Sequence, residues 1–243
     1  MAMSWSGHIS VARFAAIAAM LCCGLGNTLH AQAVDASGMV INRHGAVLMA
    51  AHAVAGCGAL YLVQAGQVSR ATVMAHDGEQ DLALLHSAIT PLLPAVFAQH
   101  PFAGEHMVFA ESFDALQRHA TRTMFNAALA SSGKDLLLLS SLAPGASGAP
   151  VLSRDGRVLG MVVARTAAEP GLAGRYALSR GYRAPARAPA TRTQAVSSDR
   201  IQRFLTAAGA PFSVSDEAQL GPGQVPSGRA ATISVGVICE RKK

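Results

Sequence analysis

Flat rings are scarce in this sequence: one Trp, three Tyr and eight Phe among 243 residues, 5% in all. Too few are present to build the platforms on which bases stack, so no nucleic-acid partner is expected. Charge is sparse as well, at 14% of residues, while apolar side chains reach 51%. That balance excludes a disordered chain and supplies a core of useful size. The nine histidines and four cysteines contain no His-x-x-x-His or Cys-x-x-Cys spacing, so no zinc site is expected. No glycine-rich loop of the kind that cradles phosphates occurs either. The sequence therefore predicts neither a metal nor a cofactor.

Acidic residues are the scarcer sign, 14 against 20 Lys and Arg, for a formal net charge of +6. The excess is local, because Arg165, Arg175, Arg180, Arg183, Arg187 and Arg192 face only Glu169 in their stretch. No aromatic or helical framework organises these arginines, so a solvated basic loop is the better reading than a phosphate-binding patch. Residues 166–193, rich in Ala, Arg, Pro and Gly, are predicted to form a long, partly disordered surface loop.

Long apolar runs are lacking too. The one at the N-terminus, Phe14 to Leu25, is short for a bilayer span, follows Arg13 and precedes the small-x-small triplet Ala31-Gln32-Ala33. That pattern predicts an export signal over 1–33, a mature domain over 34–243, no stable membrane anchor after cleavage, and a periplasmic or secreted location. Cys22 and Cys23 follow Leu21 and Cys22, where a lipidation signal wants a small residue. The mature chain then keeps Cys57 and Cys239, and in an oxidising compartment these are predicted to form one disulfide.

What is abundant is short apolar runs broken by turn residues. Met39-Val40-Ile41 and Ala46 to Met49 flank Asn42-Arg43-His44-Gly45, a hairpin signal with Gly45 available for positive φ. Leu60 to Val63, Ala71 to Met74 and Leu82 to Leu85 continue the series, and His106 to Ala110, Thr123 to Ala127, Leu136 to Leu139, Val151-Leu152 and Arg157 to Ala164 repeat it. This spacing predicts an all-β chain of two lobes. One helix is expected at Ser198 to Ala208, capped by Ser197 or Ser198 and ended by Gly209, followed by a last strand at Thr232 to Cys239.

Chemistry concentrates at three places. Pro144-Gly145-Ala146-Ser147-Gly148-Ala149-Pro150 surrounds a serine with small residues, which leaves its hydroxyl uncovered and lets successive N–H groups converge on an oxyanion. Alone it reads as an ordinary loop. His52 follows the strand ending at Met49, and Asp81 opens the apolar run Leu82 to Leu85, where a carboxylate needs a hydrogen-bonding partner. Asp77 is a rival for that role, but Asp77-Gly78 is a turn signal. The order His, Asp, Ser across two β lobes is one that nucleophilic serine chemistry uses.

With these residues in view, Ser37 to Ile41, Met49 to Val54, Asp81 to Leu85 and Gly145 to Pro150 together resemble the trypsin-like peptidases of the bacterial HtrA/Deg group, from about Ser37 to Arg165. The resemblance implies two chymotrypsin-like Greek-key barrels with a C-terminal helix and final strand. It also implies a serine endopeptidase acting on protein or peptide substrates through Ser147, with His52 as general base, Asp81 orienting the histidine, and the N–H groups of Gly145 and Ser147 as oxyanion hole. Ser141 would lie near the base of the specificity pocket, with Val163 to Arg165 beside the substrate backbone. No aspartate stands at the pocket base, so strict Arg/Lys preference is not implied. Ala146 and Ala149 depart from the group, which usually has Asn or Asp before the serine and Gly two residues after it; both point to a slower enzyme or a zymogen-like oxyanion loop. The roughly 30 residues after the helix are too few for a PDZ module. The alternatives are a catalytically silent binding protein on the same fold, and an envelope protein whose basic loop binds anionic lipid or polysaccharide.

Overall fold

In the computed structural model the described residues are 34–91, 93–100, 105–118, 126–130, 135–138, 142–167, 175–177 and 191–241. The expected export signal over 1–33 lies outside them.

The first lobe is a closed barrel of six strands: β1 (Ala36–Val40), β2 (Ala46–Ala50), β3 (Cys57–Gln64), β4 (Gln67–Asp77), β5 (Leu82–Ser87) and β15 (Ser234–Arg241), hydrogen-bonded in the order β1-β15-β3-β4-β5-β2. The β1–β2 hairpin forms where predicted. Asn42 Oδ1 accepts the N–H groups of His44 and Ala46, and Gly45, at φ +79°, passes so close to Ser87 that a Cβ would sit 1.9 Å from its carbonyl oxygen. The last strand is not an appendage of the second lobe, because it closes the first one, with Ala36 opposite Val237 and Tyr61 opposite Ile238.

The second lobe comprises β7 (Glu105–Ala110), β8 (Asn126–Ala130), β9 (Asp135–Leu138), β10 (Pro150–Leu152), β11 (Val158–Ala167) and β13 (Thr191–Ser197). Its pairings run β10-β7-β8-β9-β13-β11, and β10 also pairs with β11, so the ring returns on itself. Short strand β6 (Val96–Ala98) adds to β11 in parallel and β14 (Ser213–Ser215) adds to β6 in parallel, while β12 (Arg175–Ala177) pairs with β11 in antiparallel. The predicted surface loop is thus structured at its ends. Strand β11 reaches Ala167, β13 starts at Thr191 and β12 lies between, because ladder hydrogen bonds to β11 override the coil-forming composition. The rest of 166–193 lies outside the described residues.

Strand side chains alternate between two cores. Along β2, Val47 and Met49 pack inside the first barrel, whereas Leu48 and Ala50 join a cluster shared with Met161 and Val163 of β11 and with Phe97. On β11, Leu159 and Val162 point instead into the second barrel with Val108, Leu138 and Val151. Both faces of these strands are therefore dry, which is why they read as apolar runs without polar alternation.

Among the described residues three α-helices complete the fold: α1 (Phe113–Arg118), α2 (Ser198–Ala207) and α3 (Pro226–Ile233). Helix α2 follows expectation, with Ser197 at the N-cap, Ile201, Phe204 and Leu205 buried, and Gly209 at φ +65° just past its end. Helix α3 starts at Pro226 and contains Gly228, a poor helix former, so its region reads as a link in the sequence. What secures it is Arg229, which is buried and donates from Nη1 to the Leu93 carbonyl at 3.0 Å and from Nη2 to the Pro94 carbonyl at 2.5 Å. A disulfide joins Cys57 at the start of β3 to Cys239 near the end of β15, as the compartment reading predicts.

Candidate active site

Strand β2 leads straight into a single 3₁₀ turn, Ala51–Ala53, that carries His52. Asp81 holds this turn with three atoms. Its backbone oxygen accepts the Ala51 N–H at 3.1 Å, Oδ1 accepts the His52 N–H at 2.8 Å, and Oδ2 lies 2.7 Å from His52 Nδ1. A carboxylate oxygen accepts only, so Nδ1 carries the proton and Nε2 presents its lone pair on the far side of the ring. There, Nε2 stands 3.1 Å from Ser147 Oγ. The structure thus brings together three side chains from 52, 81 and 147.

Asp81 differs from its sequence expectation in one respect. It does not open the strand; it is the turn residue before β5, with φ +58°. Aspartate tolerates this left-handed conformation better than most residues, and the two carboxylate bonds to the 51–53 segment compensate its strain. Asp77 is elsewhere engaged: its Oδ1 accepts the N–H groups of Glu79 and Gln80, and Oδ2 accepts Gln80 Nε2 at 2.7 Å. The Gln80 N–H, ahead of burial acting the other way, holds the Asp77 carboxyl below its ordinary range. It is a turn cap.

The segment 144–149 is a tight loop between the two lobes. Gly145 and Gly148 take φ +93° and +87°, while Ala149 has no left-handed φ, so the methyl at 149 brings no backbone strain. Gly148 N–H donates to Val162 O at 2.8 Å and Val162 N–H returns a bond to Ala149 O at 2.9 Å, which fastens the loop to β11. A Cβ at Gly148 would lie 1.9 Å from the Ser37 carbonyl oxygen. Ser147 is not uncovered as the small flanking residues suggest, for it is 0% exposed, and so are Ala146 and Ala149. Ala146 and Ala149 pack into the second barrel's core instead, and the site is open on the side of His52, whose side chain is 27% exposed.

Ser141, the expected pocket-base residue, lies outside the described residues. Val163 and Ala164 are buried in β11 beside the loop. Among the described residues no group of three or more His, Cys, Asp or Glu side chains is placed to hold a metal ion, and no helix is long and apolar enough to cross a membrane. One residue without a role in the sequence reading stands against the loop: Ser37 of β1, whose N–H donates to Ser147 O at 2.8 Å. Its only sequence signal is a hydroxyl at the start of an apolar strand.

A profile of the trypsin-like peptidase domain matches residues 36–161, a span that includes His52, Asp81 and Ser147. No curated protein matches the chain. Among solved structures, the Rv3671c protease from M. tuberculosis in its active form is similar with a TM-score of 0.51 and 20% identity, over 76% of this chain and 78% of that one. The inactive form of the Rv3671c protease gives 0.49 and 21%, over 72% and 84%. At 20% identity the likeness to the active form speaks for the fold alone.

Proposed function

The chain belongs to the trypsin-like peptidase family, and from that premise we propose that it is a serine endopeptidase working through an acyl-enzyme on Ser147. The observation that carries this reading is the continuous relay from Asp81 Oδ2 through His52 to Ser147 Oγ, at 2.7 Å and 3.1 Å. Such spacing lets His52 Nε2 accept the hydroxyl proton as Oγ attacks a scissile carbonyl. Asp81 then lies against the imidazolium that forms and stabilises its charge. The developing oxyanion is received by the N–H groups of Gly145 and Ser147. Collapse expels the amine with the proton from His52, and water repeats the sequence on the acyl group. The disulfide between Cys57 and Cys239 supports the periplasmic or secreted location expected from residues 1–33, since such a bridge persists in oxidising surroundings.

The test is labelling by a fluorophosphonate probe, followed by cleavage of an internally quenched peptide library blocked at both ends. Labelling of the wild type but not of Ser147→Ala, with internal cleavage, is the expected result. A folded wild type that neither reacts nor cleaves is instead a binding protein on this fold.

A further inference from the structure

Ala146 offers its loop only a methyl group, and the glycines on either side of the Ala146-Ser147 pair leave the backbone free to turn. Something outside the loop has to fix it, and one residue touches it with three different groups. Ser37 is fully buried in β1. Its Oγ donates to the Gly145 carbonyl at 2.6 Å, its N–H donates to the Ser147 carbonyl at 2.8 Å, and its own carbonyl fills the place a side chain at 148 would occupy.

The hydroxyl is itself held in one orientation. Phe113 N–H donates to it at 2.9 Å, and the Gly145 carbonyl can only accept, so the hydroxyl proton points at Gly145. The Phe113 ring lies where Gly236, the cross-strand partner of Ser37 in β15, has no side chain; a Cβ there would meet the ring at 2.7 Å. The carbonyls of 145 and 147 bracket the peptide unit whose N–H belongs to Ser147. Pinning both leaves that unit little freedom to rotate.

We propose that Ser37 is a positioning residue for acyl transfer, its hydroxyl holding the Gly145–Ser147 backbone in the arrangement that receives the oxyanion. This rests on the serine-peptidase reading above. A brace on the oxyanion loop affects the transition state far more than the bound substrate, which sets it apart from a serine that merely stabilises β1.

The test compares wild type with Ser37→Ala on a chromogenic peptide, alongside thermal unfolding and the affinity of a peptide boronate, which mimics the tetrahedral state. For folded Ser37→Ala, kcat and the fluorophosphonate rate are expected to fall about 10-fold to 100-fold, short of the loss of a whole oxyanion donor. KM should stay within about 2-fold, and boronate affinity should fall in step with kcat/KM. Wild-type kcat per folded molecule, or a loss seen in KM alone, overturns the proposal. If Ser37→Ala does not fold at the assay temperature, Ser37→Cys, similar in size and a weak donor, is read by the same criteria. A wild type inert to the probe overturns the peptidase reading and this inference with it, whereas an active wild type with an equally active Ser37→Ala overturns this one alone.

Discussion

Replacing Ser147 with Ala removes the atom that His52 Nε2 faces at 3.1 Å and nothing else of the site. Turnover is expected to vanish into background in a peptidase assay while the unfolding curve barely moves. Asp81→Asn is the more instructive change. The amide can still sit at φ +58° and accept the His52 N–H, but it no longer favours the tautomer that leaves Nε2 as acceptor. A kcat loss on the order of 10⁴-fold with an intact fold is expected, the size this substitution has in the Ser-His-Asp template. These residues were legible in the sequence because an order of three residue types survives without any geometry. The left-handed backbone at 81 was not, since only the contacts of 51–53 to Asp81 show why a turn residue is held there. Nor was the burial of Ser147, which depends on how the two lobes meet.

At the scale of elements, strands were readable and the smaller helices were not. Runs such as Ala46 to Met49 declare themselves by being apolar on both faces, whereas α3 owes its position to Arg229 reaching the carbonyls of Leu93 and Pro94, a long-range contact no local pattern encodes. The loop carrying Ser147 tolerates nothing larger than hydrogen at 148. Gly148→Ala is expected to cost more than the roughly 1–2 kcal/mol of a left-handed alanine, because its Cβ also meets backbone at 1.9 Å, and to abolish activity with it; urea unfolding and peptide cleavage measure both. The bridge from Cys57 to Cys239 spans a sequence separation of 182. Replacing both cysteines with Ser is expected to lower stability by about 2–5 kcal/mol in urea titrations, compared under non-reducing conditions.

The molecule as a whole carries several carboxylates held below their ordinary range. Burial raises Asp155 and Asp199, but hydrogen bonds from Arg157 and Ser153 to the first, and from Ser197 and Arg203 to the second, outweigh it; the Gln80 N–H leads the effect on Asp77. A carboxyl whose folded value lies below its unfolded one, about 3.9, contributes stability that is complete above that pH and lost as pH falls through the folded value. The urea midpoint is therefore expected to stay flat in these contributions from pH 7 to about pH 5 and to drop below about pH 4. Two-lobed β architecture was visible from the spacing of the runs, yet the placement of β15 in the first lobe was not, because pairings as distant in sequence as Ala36 with Val237 and Leu62 with Val237 leave no mark on either segment alone.

That placement of β15 bears on the order in which the protein can come into being. The lobe holding His52 and Asp81 cannot close until residues 234–241 have been made and have paired with β1 and β3. A nascent chain still growing beyond Ser147 therefore has all three reactive side chains but no completed barrel to align two of them. Alignment of Asp81 and His52 with Ser147 therefore waits on the strand made last among those of the first barrel.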